Sequence, residues 1–221
     1  MPRSFKPLEI IVYQDVLCAW CYVADQRLET IRREFGDMLR WRFRPFALRL
    51  SDSAPRPREL RDWLAELERA RKEPEGANIT TDLWLGCDQP RSSIPALAAI
   101  EAAALQSADA RQLLLRTMHR AALENGINIT RPDTALEIAS SIGLDMNRFV
   151  PAWKSEQTRR LIVQEHRLAR SRGVRGVPTL IIGGRWKLSG LRAVSEYREH
   201  ILTCLQKRGH GDESPSGHAV H

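Results

Sequence analysis

Cys18-Ala19-Trp20-Cys21 stands between an apolar, β-branched run and a helical pattern, and this placement constrains the chain more than any other feature. Glu9 to Asp15 (EIIVYQD) reads as a buried strand. Tyr22 to Phe35 carries apolar residues at Val23, Leu28, Ile31 and Phe35, a helical spacing, with Gly36 as its stop. Leu39 to Leu48 alternates apolar and basic residues before Pro45, which predicts a second strand. The opening is therefore a strand–helix–strand unit. At the start of its helix, unpaired N–H groups and the positive end of the dipole converge on Cys18. Both favour thiolate, the form that attacks a disulfide. Cys21, three residues on, shares the helix face and can act as the resolving thiol. Two quiet core cysteines, or a zinc site, are the competing readings. The motif has no matching second pair, and Cys87 and Cys204 stand alone, so no metal is expected.

Pro55 and Pro57 mark a boundary, after which residues 58–172 read as helix after helix. Expected helices cover Arg58–Lys72, Ser92–Gln106, Asp109–Asn125, Asp133–Ile142 and one long span from about Asp145 to Arg172, with residues 74–91 as a loop. Thr179–Ile182 and Arg185–Leu188 flank Gly183-Gly184 and predict a hairpin; Arg192–Gln206 predicts a final helix. The expected fold class is α/β: a mixed sheet flanked by helices, with a large all-helical insertion. One domain would comprise residues 8–56 and 173–207, the insertion 57–172, and a disordered polar tail 208–221.

Pro178 precedes the hairpin within Gly173-Val174-Arg175-Gly176-Val177-Pro178-Thr179. A proline there is a candidate cis-proline, with a trans-proline opening the strand as the alternative. Proline has no N–H to compete at the site, so Val177 could pair with an extended substrate segment. Asp15 is a candidate for proton transfer to or from Cys21, or a cap of the turn. Trp20 could offer an apolar face to a peptide or pack on the insertion. His119 and His166 lie within expected helices, and His210, His218 and His221 form no metal-ligand spacing.

The net charge is +7, yet arginine mostly alternates with Glu, Leu and Ala, so solvated helix faces are expected rather than a nucleic-acid footprint. No apolar run approaches the roughly 18 residues of a membrane span. The opening MPRSFKPLEIIVYQD lacks a signal-peptide core, so the expected location is the cytoplasm.

DVLCAWCYVADQRLE and GVRGVPTLIIGGRWKLSG resemble the DsbA-like thioredoxin-fold thiol–disulfide oxidoreductases, most closely the cytoplasmic FrnE-type branch. The likeness extends over nearly all of residues 8–205. It implies a thioredoxin-like sheet, Cys18 as nucleophile, Cys21 as resolving thiol and Val177-Pro178 as the cis-proline loop. It also implies protein or small-molecule disulfides as substrates, a glutathione or thioredoxin-system recycling partner, and no tightly bound cofactor, with glutathione a candidate redox partner. Two departures matter. Ala19 stands where the family usually has proline, and Trp20 where the strongly oxidising periplasmic members have histidine. Trp20 supplies no positive charge, so a milder oxidant than DsbA, at roughly −120 mV, is expected. The same fold hosts glutathione-dependent isomerases and kappa-class transferases, which generally place serine at the Cys18 position. A non-enzymatic polypeptide binder is the third reading.

Overall fold

The computed structural model describes residues 6–211. Strand β1 (Leu8–Gln14) leads into helix α1 (Ala19–Phe35), and strand β2 (Leu39–Pro45) follows. Seven helices come next: α2 (Pro57–Ala70), the single-turn α3 (Asp82–Leu85), α4 (Ile94–Ala104), α5 (Ala108–Leu123), α6 (Pro132–Ser141), α7 (Met146–Lys154) and α8 (Glu156–Ser171). The chain closes with β3 (Thr179–Ile182), β4 (Trp186–Ser189) and α9 (Val194–Gly211).

The four strands form one mixed sheet in the order β2-β1-β3-β4. β1 pairs parallel to β2, from Leu8 opposite Leu39 to Gln14 opposite Pro45. β3 runs antiparallel to β1, with Ile10 opposite Ile182, and β4 antiparallel to β3. β1 is central and covered on both faces, which is why EIIVY reads as a continuous apolar run rather than an alternating one. Gly183 and Gly184 both take left-handed backbone at the hairpin turn.

The strand–helix–strand opening, the helical block and the terminal hairpin agree with the expected layout. Three details differ. The span expected as one helix breaks at Ser155, whose backbone is extended and whose hydroxyl accepts from Gln157 N to cap α8. Thr158 Oγ1 then donates to the Ala152 carbonyl at 2.8 Å, satisfying an acceptor at the end of α7. The segment 74–91 contains a 3-10 turn and α3 instead of being wholly irregular. α9 runs past Gln206 through residues 208–211, the start of the expected tail; residues 212–221, with His218 and His221, lie outside the described residues, as does the His210 side chain.

Two large apolar clusters hold the fold. Leu8, Ile10 and Val12 pack with Leu28 and Ile31 of α1 and Tyr197 and Ile201 of α9. The larger cluster starts at Val16, Leu17, Ala19, Tyr22 and Val23 beside the cysteine motif and continues through α2 to α8. Its centre is α4, where Ala96, Ala98, Ala99, Ala102 and Ala103 are buried and let α5, α7 and α8 approach closely. Ala99 is fully enclosed. Ala99→Leu is therefore expected to cost about 1–3 kcal/mol by overpacking, read as a lower midpoint in chemical denaturation. An unchanged midpoint would show that the helices yield without strain.

Candidate redox site

Asp15 shapes the turn that delivers the cysteines. Its Oδ1 accepts from Leu17 N at 2.8 Å and its Oδ2 from Leu48 N at 2.6 Å. Its carbonyl accepts from Cys18 N at 3.2 Å. Burial pushes the Asp15 carboxyl up, opposed by Ser93, those two backbone N–H groups and the Arg49 charge. Leu48 reaches Asp15 because the chain bends away from the sheet after Pro45, so β2 ends earlier than its periodicity implied.

Cys18 is the N-cap residue of α1, with extended backbone. Its Sγ accepts from Cys21 N at 3.3 Å and lies 3.6 Å from the Val177 carbonyl oxygen, to which the thiol donates. The Val177–Pro178 peptide is cis. The fold thus brings residues 159 positions apart against one sulfur. Cys18 retains 6% exposure and Cys21 1%. Burial pushes the Cys21 thiol well up, and the neighbouring Cys18 sulfur and the Asp15 charge push the same way. Both cysteines are free thiols.

A cavity of about 410 Å³ opens beside Cys18. Leu17, Leu48 and Leu67 line it together with Trp20, Trp63 and Trp84, and Asp62, Glu66 and Arg49 supply charge. The Trp63 and Trp84 rings lie 4.7 Å apart. Trp20 Nε1 donates to Glu66 Oε2 at 2.7 Å. The Arg49 guanidinium sits 4.6 Å from the Trp63 ring centre. Its Nε donates to the Arg91 carbonyl at 3.1 Å and its other nitrogens reach the Ser53 carbonyl and Glu59. A smaller cavity of about 250 Å³ shares Trp20 and Val177 with the first and adds Pro178, Gly190 and Leu191.

Every residue singled out in the sequence for this site converges here: Asp15, Cys18, Trp20, Cys21, Val177 and Pro178. Trp63, Trp84, Arg49 and Glu66 were not singled out. They come from three segments, Arg49 after β2, Trp63 and Glu66 on α2 and Trp84 on α3, and no local pattern distinguishes them from ordinary core or helix-surface residues. Cys87 is exposed; Cys204 is buried near Leu8 and Gly183, at the opposite end of β1 from Cys18. His119 is buried edge-on to Tyr22 at 5.9 Å, and His166 packs on Phe46 at 4.4 Å. Among the described residues, no cluster of His, Cys, Asp and Glu could hold a metal ion, and no helix is long and apolar enough to cross a membrane.

A helix-capping cysteine facing a proline turn across a mixed sheet, with a helical block inserted between strands, defines a thioredoxin-fold protein of the DsbA type. The chain belongs to the DSBA-like thioredoxin domain family, whose model matches residues 9–202. It is 29% identical over 215 residues to the ClpXP adapter protein SpxH of Bacillus subtilis, covering 94% of this chain and 69% of that one. A Nitrosomonas europaea protein described as a candidate disulfide isomerase superposes with a TM-score of 0.81 at 18% identity, over 91% of this chain and 99% of that one. The cytosolic disulfide reductase DsbM of Pseudomonas aeruginosa, solved with GSH, gives 0.69 at 24% identity, over 90% and 100%.

Proposed function

We propose that the protein is a cytosolic thiol–disulfide oxidoreductase working through Cys18 and Cys21. The observation that carries this reading is the asymmetry of the pair. Cys18 Sγ caps a helix, keeps some exposure and borders a cavity, while Cys21 is enclosed and held as a thiol by burial. The Cys18 thiolate attacks a substrate disulfide, forming a mixed disulfide and expelling one substrate thiolate, which takes up a proton. Cys21 then loses its proton and attacks the Cys18 sulfur. The Cys18–Cys21 disulfide forms and the second substrate thiolate leaves; two electrons have passed to the substrate. The reverse sequence oxidises a substrate dithiol. Asp15, whose charge acts on Cys21, is the proton acceptor in this scheme. Trp20, Val177 and Pro178 border the path a substrate chain would take. Glutathione or a thioredoxin-type dithiol resets the pair.

Equilibrating the protein in thiol–disulfide redox buffers and counting free thiols by mass tests the reading. One reversible two-electron transition confined to Cys18 and Cys21 is expected; thiols inert across the whole range would end it. Cys21→Ser is expected to stop the second step and accumulate mixed disulfides on Cys18, seen as reducible adducts in mass spectra. Free turnover without adduct would show that Cys21 does not resolve the intermediate.

The likeness to an adapter protein supports a second reading, polypeptide capture without chemistry. In that case a Cys18→Ser, Cys21→Ser variant would keep full partner binding while the redox transition proved irrelevant to it.

A further inference from the structure

We infer that the cavity beside Cys18 is a cation cage, selecting polypeptide disulfides that carry an arginine or lysine next to the reacting cysteine. The inference rests on the exchange reading above and narrows its substrate class. Three indole rings, Trp20, Trp63 and Trp84, line one cavity of about 410 Å³ that Cys18 also borders. Indole faces attract cations. The cage already shows this preference, because the Arg49 guanidinium lies over the Trp63 ring.

The remaining charge on the wall has the opposite sign. Asp62 is exposed and has no ion-pair or hydrogen-bond partner among the described residues. Glu66 accepts from Trp20 through one oxygen and is ion-paired with Arg69 through the other, yet its side chain keeps 42% exposure. Arg49 cannot serve an incoming carboxylate well: it is buried and committed to two backbone carbonyls, the Trp63 face and Glu59. The cavity therefore offers a ligand one unpaired carboxylate, Asp62, a second, Glu66, shared with Arg69, and the Trp20 and Trp84 indoles beside a Trp63 ring that already holds a cation; its one lining cation, Arg49, is committed. A side chain with a long apolar stem and a cationic end fits this chemistry. Oxidised glutathione, with four carboxylates against two ammonium groups, does not.

The test uses the full chain with both cysteines reduced and symmetric disulfide dimers of one short peptide, with arginine, norleucine or glutamate next to its cysteine. The rate of Cys18 adduct and Cys18–Cys21 disulfide formation is followed by rapid quenching and mass analysis. In each exchange the peptide disulfide is reduced to two thiols and the protein pair oxidised. The arginine dimer is expected to react roughly tenfold faster than the glutamate dimer, with norleucine between. In Asp62→Asn, an exposed substitution, that ratio is expected to fall to roughly threefold. Equal rates for the three peptides, a faster glutamate peptide, or oxidised glutathione outpacing the arginine peptide would overturn the cage. Neutral 2-hydroxyethyl disulfide separates the two levels of the argument. If it oxidises the pair while the peptides show no charge preference, only the cage falls. If it leaves both thiols untouched, the exchange reading falls and the cage with it.

Discussion

Cys18→Ser is expected to lower thiol–disulfide exchange by roughly a thousandfold or more while leaving the fold intact. The two halves of that result have separate causes. Serine has no accessible alkoxide near neutral pH and cannot form the mixed disulfide, so the first bond is never made. Serine is also among the best N-cap residues, and its Oγ can take the bond that Cys18 Sγ accepts from Cys21 N. Helix α1 therefore keeps its start, and the unfolding free energy from chemical denaturation should stay within about 0.5 kcal/mol of the parent. Stopped-flow reduction of a chromogenic disulfide gives the rate, and denaturation gives the control. Persistent exchange in this variant would place the nucleophile elsewhere and remove the basis for the proposed function.

Between pH 6.5 and 4 the protein should lose on the order of 3 kcal/mol of stability through His119 alone. Burial lowers this imidazole from its ordinary 6.5 to about 4, although the Asp25 charge and the Asp15 backbone favour the charged form. The unfolded chain binds a proton across that interval and the folded chain does not, so stability rises with pH there. The contribution is complete above about 6.5 and is lost as pH falls through about 4. Tyr22 faces the ring edge-on, and Asp25 is itself held low: burial raises it, but the Arg32 guanidinium and the Gln112 amide outweigh that. Asp25 thus stays ionised through the window and does not mask the effect. Urea midpoints measured at several pH values should show the slope in the parent and its loss in His119→Phe, which keeps the ring packing on Tyr22. Parallel slopes in both proteins would mean that His119 is hydrated or already charged.

The features readable from sequence are those encoded locally. The EIIVY run, the helical spacing after Cys21 and the diglycine that follows the TLII run each specify one element within about ten residues, and β1, α1 and the β3–β4 hairpin follow them. Cys18 and Cys21 were legible for the same reason: strand, turn and helix start are consecutive. The break at Ser155 was encoded too, as an N-cap serine, but the apolar periodicity running through it on both sides masked it. The walls of the cavity were not encoded locally. Trp63 lies on the amphipathic α2 and reads as a core contact; Trp84 falls in a stretch of Pro, Gly and Asn that reads as irregular. Only the packing of α2 and α3 against the cysteine turn brings the two rings within 4.7 Å.

The apolar cluster that joins the cysteine turn to α2 through α8 has an electrochemical consequence. Unfolding and reduction of one molecule form a closed thermodynamic cycle. Any difference in unfolding free energy between the dithiol and disulfide forms equals the free energy by which the fold displaces the couple from that of the unfolded chain. For a two-electron couple, about 1.4 kcal/mol corresponds to about 30 mV. Val16, Leu17 and Ala19 transmit the packing of the helical block to the residues flanking Cys18. A substitution deep in α4 that suits one redox form better than the other would therefore shift the midpoint potential without touching either sulfur, making the helical block a tuning element of the couple.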